Sequence, residues 1–245
     1  MSLAVNYDFS DSVVLVTGGA SGMGAATAHA CARLGAQVVA LDVDVAAIER
    51  IGATPGIDAR LVDVSDSAAV NACIDDVLGR YGKIDGAVLG AAIQQRTPIA
   101  DLGDAEWRRH LAVNLDGVFH CIRAIGPAMC KARSGSILTF TSGLVNMGWN
   151  GAAAYAASKG ALVGLTKCAA VEFKPFGVRA NLISPGLVTT PVWLNVAGEG
   201  EREMYADSIG ISEPEAVVPT ILHLISDASR EMTGAIIERR LVPAH

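Results

Sequence analysis

Two kinds of stretch alternate along this chain. Short apolar runs rich in β-branched residues recur at 11–17, 37–41, 58–64, 84–89, 136–141, 177–183 and 235–238. Such runs predict strands, and the uninterrupted ones predict strands covered on both faces. Longer alanine-rich or helix-periodic stretches lie between them. They predict helices after the glycines at 18–24 and closing at Gly35, then over 45–51, 66–81, 106–130, a central segment ending near Phe173, and 214–226. Ser184-Pro185-Gly186 breaks the pattern, and an irregular stretch is expected from there to about Ser212. Strand–helix alternation of this kind predicts an α/β fold, a doubly wound parallel sheet of about seven strands with helices on both faces. No linker, repeat or compositional break divides the 245 residues, so one domain is expected over 1–245, with a loop over a binding pocket at about 187–212.

Composition narrows the function. Half the residues are hydrophobic and the net charge is −6, with no basic run longer than two residues. That argues against nucleic acid and against strongly anionic macromolecules as partners. The five cysteines at 31, 73, 121, 130 and 168 show neither a C-x-x-C pair nor metal-ligand spacing, and the five histidines are scattered, so no metal site is expected. Unpaired cysteines fit a reducing compartment. The N-terminus lacks a positive region followed by an apolar run, and the uncharged span 134–158 is too rich in Ser, Thr, Gly and Asn for a membrane helix. A soluble cytoplasmic protein without membrane partners is the expectation.

The first strand runs into Thr17-Gly18-Gly19-Ala20-Ser21-Gly22-Met23-Gly24, a G-x-x-x-G-x-G pattern. Glycine lets the backbone turn sharply and approach a pyrophosphate, which the following helix N-terminus attracts. The bland alternative is a glycine turn with no ligand. Strand, turn, helix, second strand and an acid at Asp42 within about 30 residues favour a dinucleotide site. Asp42 would accept hydrogen bonds from an adenosine ribose and repel a 2′-phosphate by about 4 kcal/mol at ~4 Å before screening. No Lys or Arg in the turn offsets it, so NAD is expected over NADP. Asp42 or Asp44 could instead cap the helix over 45–51.

Tyr155 and Lys159 stand four apart in AAAYAASKGAL, one helical turn from each other on one face. Ser142 follows the strand 136–141. A lysine ammonium beside a phenol is expected to pull its pKa below the usual value of about 10, each two units requiring roughly 2.7 kcal/mol. The tyrosine could then exchange a proton with an alcohol or ketone oxygen held by the serine. Alone, the Tyr–Lys pair reads as ordinary surface. Asn114, polar among apolar residues in VNLDGVF, reads inward, where a buried amide satisfied by backbone is its bland role. Gln94, Val145, Met147, Trp149 and the segment with Trp193, Leu194, Met204 and Tyr205 are expected to shape the pocket, with Glu199, Glu201, Arg202 and Glu203 as its solvated tip.

Taken in order and spacing, TGGASGMG, Asp42, Asp63-Val64, Asn114, Ser142, Tyr155-Ala-Ala-Ser-Lys159, GVRANLISPG and Thr190 resemble the short form of the short-chain dehydrogenase/reductase family, over nearly the whole chain. The resemblance implies a Rossmann-type sheet, NAD as cofactor, and hydride transfer between a secondary alcohol and a ketone. It implies Tyr155 as general acid/base, Lys159 as its modulator and ribose anchor, Ser142 as substrate-oxygen binder, and Asn114 as anchor of a relaying water. Gly18, Ser21, Gly22, Met23 and Gly24 would cradle the pyrophosphate, and Asp63 and Val64 meet the adenine. Ala91 would lie beside the cofactor, and Pro185, Gly186, Val188 and Thr190 would line the nicotinamide. Gln94, Trp149 and Trp193 would touch substrate with Ser142 and Tyr155. Small residues on the central helix and the family's habit imply a homodimer or homotetramer. The chain departs at Leu89-Gly90-Ala91-Ala92, where the family carries Asn-Asn-Ala-Gly, and at Glu238-Arg239-Arg240-Leu241. The first departure implies altered packing under the ribose, and the second puts a tail interface in doubt. Two other classes stay open: a non-catalytic NAD(H)-binding redox sensor and an NAD-recycling epimerase or dehydratase. A serine hydrolase is disfavoured because Ser142 is not in a G-x-S-x-G elbow.

Overall fold

A computed structural model describes residues 6–208 and 210–239. Seven strands form one sheet: β1 Val13–Thr17, β2 Gln37–Asp42, β3 Ile57–Leu61, β4 Gly86–Leu89, β5 Gly135–Phe140, β6 Val178–Ser184 and β7 Ile236–Glu238. Their order is β3-β2-β1-β4-β5-β6-β7, and all neighbours pair in parallel. The α-helices are α1 Gly22–Arg33, α2 Val45–Gly52, α3 Ser67–Tyr81, α4 Asp104–Leu111, α5 Gly117–Ala132, α6 Leu144–Met147, α7 Ala153–Phe173, α8 Pro191–Leu194, α9 Glu199–Ser208 and α10 Val218–Ile225.

The uninterrupted apolar strands follow from burial on both faces. Along β1, Val13 and Leu15 enter one core while Val14 and Val16 enter the other; along β2, Val39 and Leu41 oppose Val38 and Ala40. This is the two-residue period of a strand with helices on either side. The first core is closed by α3, α5 and α7 through Ile74, Ile125 and Leu162, and the second by α1 and α10 through Cys31, Ile221 and Leu224. Three of the five cysteines, at 31, 73 and 121, are buried, and all five are free thiols. They pack as small apolar residues.

The strand order reverses between β1 and β4, which places a crevice beyond their carboxyl ends. The glycine turn, residues 90–98, Ser142 and residues 185–190 all leave the sheet at that edge.

Two stretches differ from the sequence reading. The region 106–130 is not one helix: α4 passes through a π-helical turn, Ala112–Asp116, before α5 begins. Asn114 sits in that turn with no exposed surface. Single π turns interrupt α-helices most often at functional sites. The stretch after Pro185 is not irregular throughout. It carries α8 and α9, and Val188 pairs with Ser212 in an isolated bridge. α9 buries none of its residues, so it has no apolar stripe to betray it in the sequence.

Candidate active site

The glycine turn is shaped by close approach. Gly18 has φ +63°, and a Cβ there would lie 2.9 Å from Ala91 Cα. At Gly24 a Cβ would fall 2.0 Å from the Gly18 carbonyl oxygen. Ser21 caps α1 without a side-chain bond, so that helix's first amides are left for another partner. Asp42 ends β2 and is tied into the turn: one carboxylate oxygen accepts from Ala20 N at 3.1 Å, the other from Val43 N at 2.8 Å. The cap of α2 is Asp44, which accepts from Ala47 N at 3.0 Å. That separates the two roles the sequence left open for these acids.

A cleft of about 370 Å³ runs along this edge. Its walls include Gly18, Ser21, Gly22, Met23, Gly24, Asp42, Asp63, Val64, Ala91, Lys159, Pro185 and Thr190. A smaller hollow of about 100 Å³ opens from it, lined by Gln94, Arg96, Ser142, Gly186, Val188, Trp193 and Tyr205. Tyr155 borders both cavities. Another hollow, at the opposite ends of the strands around Asp85 and Arg179, contains none of these residues.

Ser142 follows β5 and lines the small hollow together with Tyr155. Tyr155 and Lys159 project from the first two turns of α7, with Lys159 Nζ 5.8 Å from the centre of the tyrosine ring. Lys159 is 2% exposed. Among the described residues no protein acceptor receives a hydrogen bond from its ammonium, which looks onto the cleft. A glycine turn with no room for a Cβ and an ammonium facing the cleft without a protein acceptor both fit a bound dinucleotide phosphate and ribose.

The electrostatics reverse one expectation. Burial pushes the Tyr155 phenol up, to about 12, and the nearby Ser142 hydroxyl only partly opposes it. Burial also pulls Lys159 down from 10.5 to about 8. The spacing of Tyr155 and Lys159 gives their proximity, but not that both are withdrawn from water. Desolvation penalises a phenolate and an ammonium alike, and it is the largest cause of both shifts.

Asn114 holds the loop after β4. Its side-chain oxygen accepts from Ile93 N at 2.8 Å, and its nitrogen donates to Ile93 O at 2.9 Å and to Ser158 Oγ at 3.1 Å. Ser158 Oγ in turn donates to Tyr155 O at 2.7 Å, linking the π turn to the tyrosine's own backbone. His110, 1% exposed, adds a second tie, accepting from Gln95 N at 3.1 Å. At Leu89-Gly90-Ala91-Ala92, Ala91 N donates to Thr17 Oγ1 at 3.2 Å, so β1 and the loop stay joined without an asparagine. At the other departure, Arg239 donates to Pro185 O at 2.8 Å and to Ala216 O at 3.0 Å, bracing the cleft wall. Arg240 and Leu241 lie outside the described residues.

The pocket residues divide. Gln94 and Trp193 line the small hollow. Trp149 stands outside it, its ring tilted against that of Tyr205 at 5.4 Å, and Val145 and Met147 face solvent. Arg96, which the sequence reading missed, lines the hollow and binds Glu201 of α9 through both Nη atoms at 2.5 and 2.9 Å. Glu201 is thus a half-buried partner and not part of a solvated tip. The two residues are 105 positions apart, and no local signal connects them.

Among the described residues no helix is long and apolar enough to cross a membrane, and no cluster of metal-ligating side chains occurs. A family model described as enoyl-(acyl carrier protein) reductase matches residues 18–238. The chain is similar to a D-threitol dehydrogenase of Mycolicibacterium smegmatis, 34% identical over 244 residues that cover 95% of this chain and 94% of that protein. It is similar to a cis-4-hydroxycyclohexanecarboxylate dehydrogenase of Sinomonas cyclohexanicum, 35% identical over 237 residues, 94% and 95% of the two chains. In structure it resembles a 3-ketoacyl-(acyl-carrier-protein) reductase from Brucella melitensis complexed with NADH, with TM-score 0.89, 28% identity, and 95% and 98% of the chains covered.

Proposed function

The chain belongs to the short-chain dehydrogenase/reductase family and is an oxidoreductase, and from that premise we propose that it is an NAD-dependent enzyme interconverting a secondary alcohol and its ketone, with Tyr155 as the acid/base. The observation that carries this reading is Tyr155 at the junction of the two cavities, with Ser142 in the same small hollow and Lys159 over its ring. The bound nicotinamide would supply or accept the hydride.

The protein's own residues supply the rest. Ser142 holds the reacting oxygen and Tyr155 hydrogen-bonds it from the same side. With its phenol held up at about 12, Tyr155 keeps its proton at neutral pH and is ready to give it to a ketone oxygen. In the oxidation direction the alcohol's proton has to leave through a group that titrates nearer neutrality. Lys159, at about 8, meets that need. Asn114 positions Ile93 and, through Ser158, the start of α7, and so sets where the tyrosine stands. Gly18, Ser21, Gly22, Met23 and Gly24 would hold the pyrophosphate, Asp42 the adenosine ribose, Asp63 and Val64 the adenine, Ala91 the cofactor's flank, and Pro185, Gly186, Val188 and Thr190 the nicotinamide end. Asp42 supports NAD over NADP, since a 2′-phosphate would lie against its carboxylate.

The relatives named for D-threitol and for cis-4-hydroxycyclohexanecarboxylate support a small hydroxylated substrate. One catalytic domain in a cytoplasmic homo-oligomer completes the proposal. Its subunit contacts would use the small residues of α7, whose outer face also exposes Val171. The test is a panel of secondary alcohols with NAD, read as NADH absorbance. At least one alcohol should give steady NADH formation that NADP does not match; no NADH from any member of a broad panel rejects the proposal.

A further inference from the structure

The small hollow beside Tyr155 has one charged side chain among the described residues that line it, Arg96. That charge is already paired, and of its nitrogens only the buried Nε has no hydrogen-bond partner. Both Nη atoms of Arg96 grip the Glu201 carboxylate, and the two side chains are only 18% and 16% exposed. A bidentate pair out of bulk water is strong and keeps its geometry. Glu201 sits on α9, which buries none of its own residues. α9 is held near the hollow by this pair, by the tilted Trp149–Tyr205 ring contact, over which Arg96 also lies, 5.9 Å from the Trp149 ring, and by Arg202, which donates to Ala197 O and Leu194 O. Lys159, the other nearby cation, faces the adjoining cleft on the far side of Tyr155 and does not border the hollow.

We infer that Glu201 determines specificity: by occupying Arg96 it leaves the substrate hollow without a free charge, so the enzyme takes uncharged alcohols and ketones and turns away those bearing a carboxylate. A carboxylate entering the hollow finds the charge of its one lining cation already neutralised by Glu201, which stands behind Arg96. Burying it unpaired is costly. Discrimination of this kind comes from what the site withholds as much as from what it offers. The inference rests on the oxidoreductase reading above, and its test separates the two.

The probes are the primary amide and the carboxylate of one ring-substituted cyclohexanol, nearly equal in shape and different in charge. Each is titrated against wild type, Glu201→Gln and Arg96→Gln/Glu201→Gln with NAD present, reading tryptophan fluorescence, because Trp193 lines the hollow, and NADH formation in parallel. Wild type should favour the amide by about tenfold or more. Glu201→Gln, which uncovers the guanidinium, should bring the two to parity or reverse the order, and the double variant should restore preference for the amide. A wild type that takes the carboxylate as readily as the amide overturns the inference. So does a ratio in Glu201→Gln within about twofold of wild type, since a merely loosened α9 would weaken both probes together. Absence of binding by either probe to wild type overturns it too. If fluorescence shows the charge pattern but no secondary alcohol of the broad panel is turned over, the secondary-alcohol reading fails and this inference stands. If the probes are turned over without charge discrimination, this inference fails and the oxidoreductase reading stands.

Discussion

Replacing Lys159 by methionine should make the coenzyme-free protein more stable. Lys159 is 2% exposed, its ammonium has no protein acceptor among the described residues, and burial lowers it from 10.5 to about 8. At about 1.4 kcal/mol per tenfold change, that fall costs the folded state roughly 3 kcal/mol wherever the lysine is charged in both states. The sign follows from proton binding. Between about 8 and 10.5 the unfolded chain holds a proton that the folded chain has released, so wild-type stability rises with pH across that window. Below about 8 the cost is complete, and above 10.5 it is gone. Methionine keeps the length and apolar stem without the charge. Urea unfolding of both proteins, without coenzyme, should therefore show Lys159→Met ahead by roughly 3 kcal/mol at pH 7 and by about 1 kcal/mol or less at pH 10. Tyr155 is common to both proteins, so its own titration cancels. A variant less stable than wild type at pH 7, or an advantage that does not shrink with pH, would refute the reasoning. Stability given up at a working site is a familiar trade.

Two further outcomes are expected. Asp42→Ala removes the carboxylate facing the ribose and the acceptor of Ala20 N, so kcat/KM with NAD should fall and the NADP-to-NAD ratio rise by about tenfold or more, in steady-state assays with each cofactor. With Lys159 at about 8, alcohol oxidation should climb as pH rises through about 8 while ketone reduction falls over the same range, in kcat/KM profiles from pH 6 to 10; parallel profiles would exclude Lys159 as the titrating relay.

Much of the fold can be read from the chain because strands buried on both faces are written as uninterrupted apolar runs, and Val13 to Thr17 or Val178 to Ser184 have few other readings. The glycine turn and the Tyr–Lys pair are equally legible, since each depends on spacing within one element. What escapes depends on contacts distant in sequence or on burial. A π turn changes hydrogen bonding at Ala112–Asp116 and not composition. Helix α9 has no fully buried residue and so no apolar stripe to mark it. The Arg96–Glu201 pair joins a loop and a helix with no common motif. The direction of the Tyr155 shift is opposite to the sequence expectation because the spacing of Tyr155 and Lys159 carries no information about withdrawal from water, which here decides the balance.

The account turns on the phenol between the two cavities, and Tyr155→Phe tests it most directly. With an alcohol that wild type oxidises, NAD affinity by fluorescence titration and kcat by NADH formation are measured on both proteins. The affinity should stay within about threefold while kcat falls by about a hundredfold to ten-thousandfold. Turnover kept within about tenfold of wild type would contradict the account.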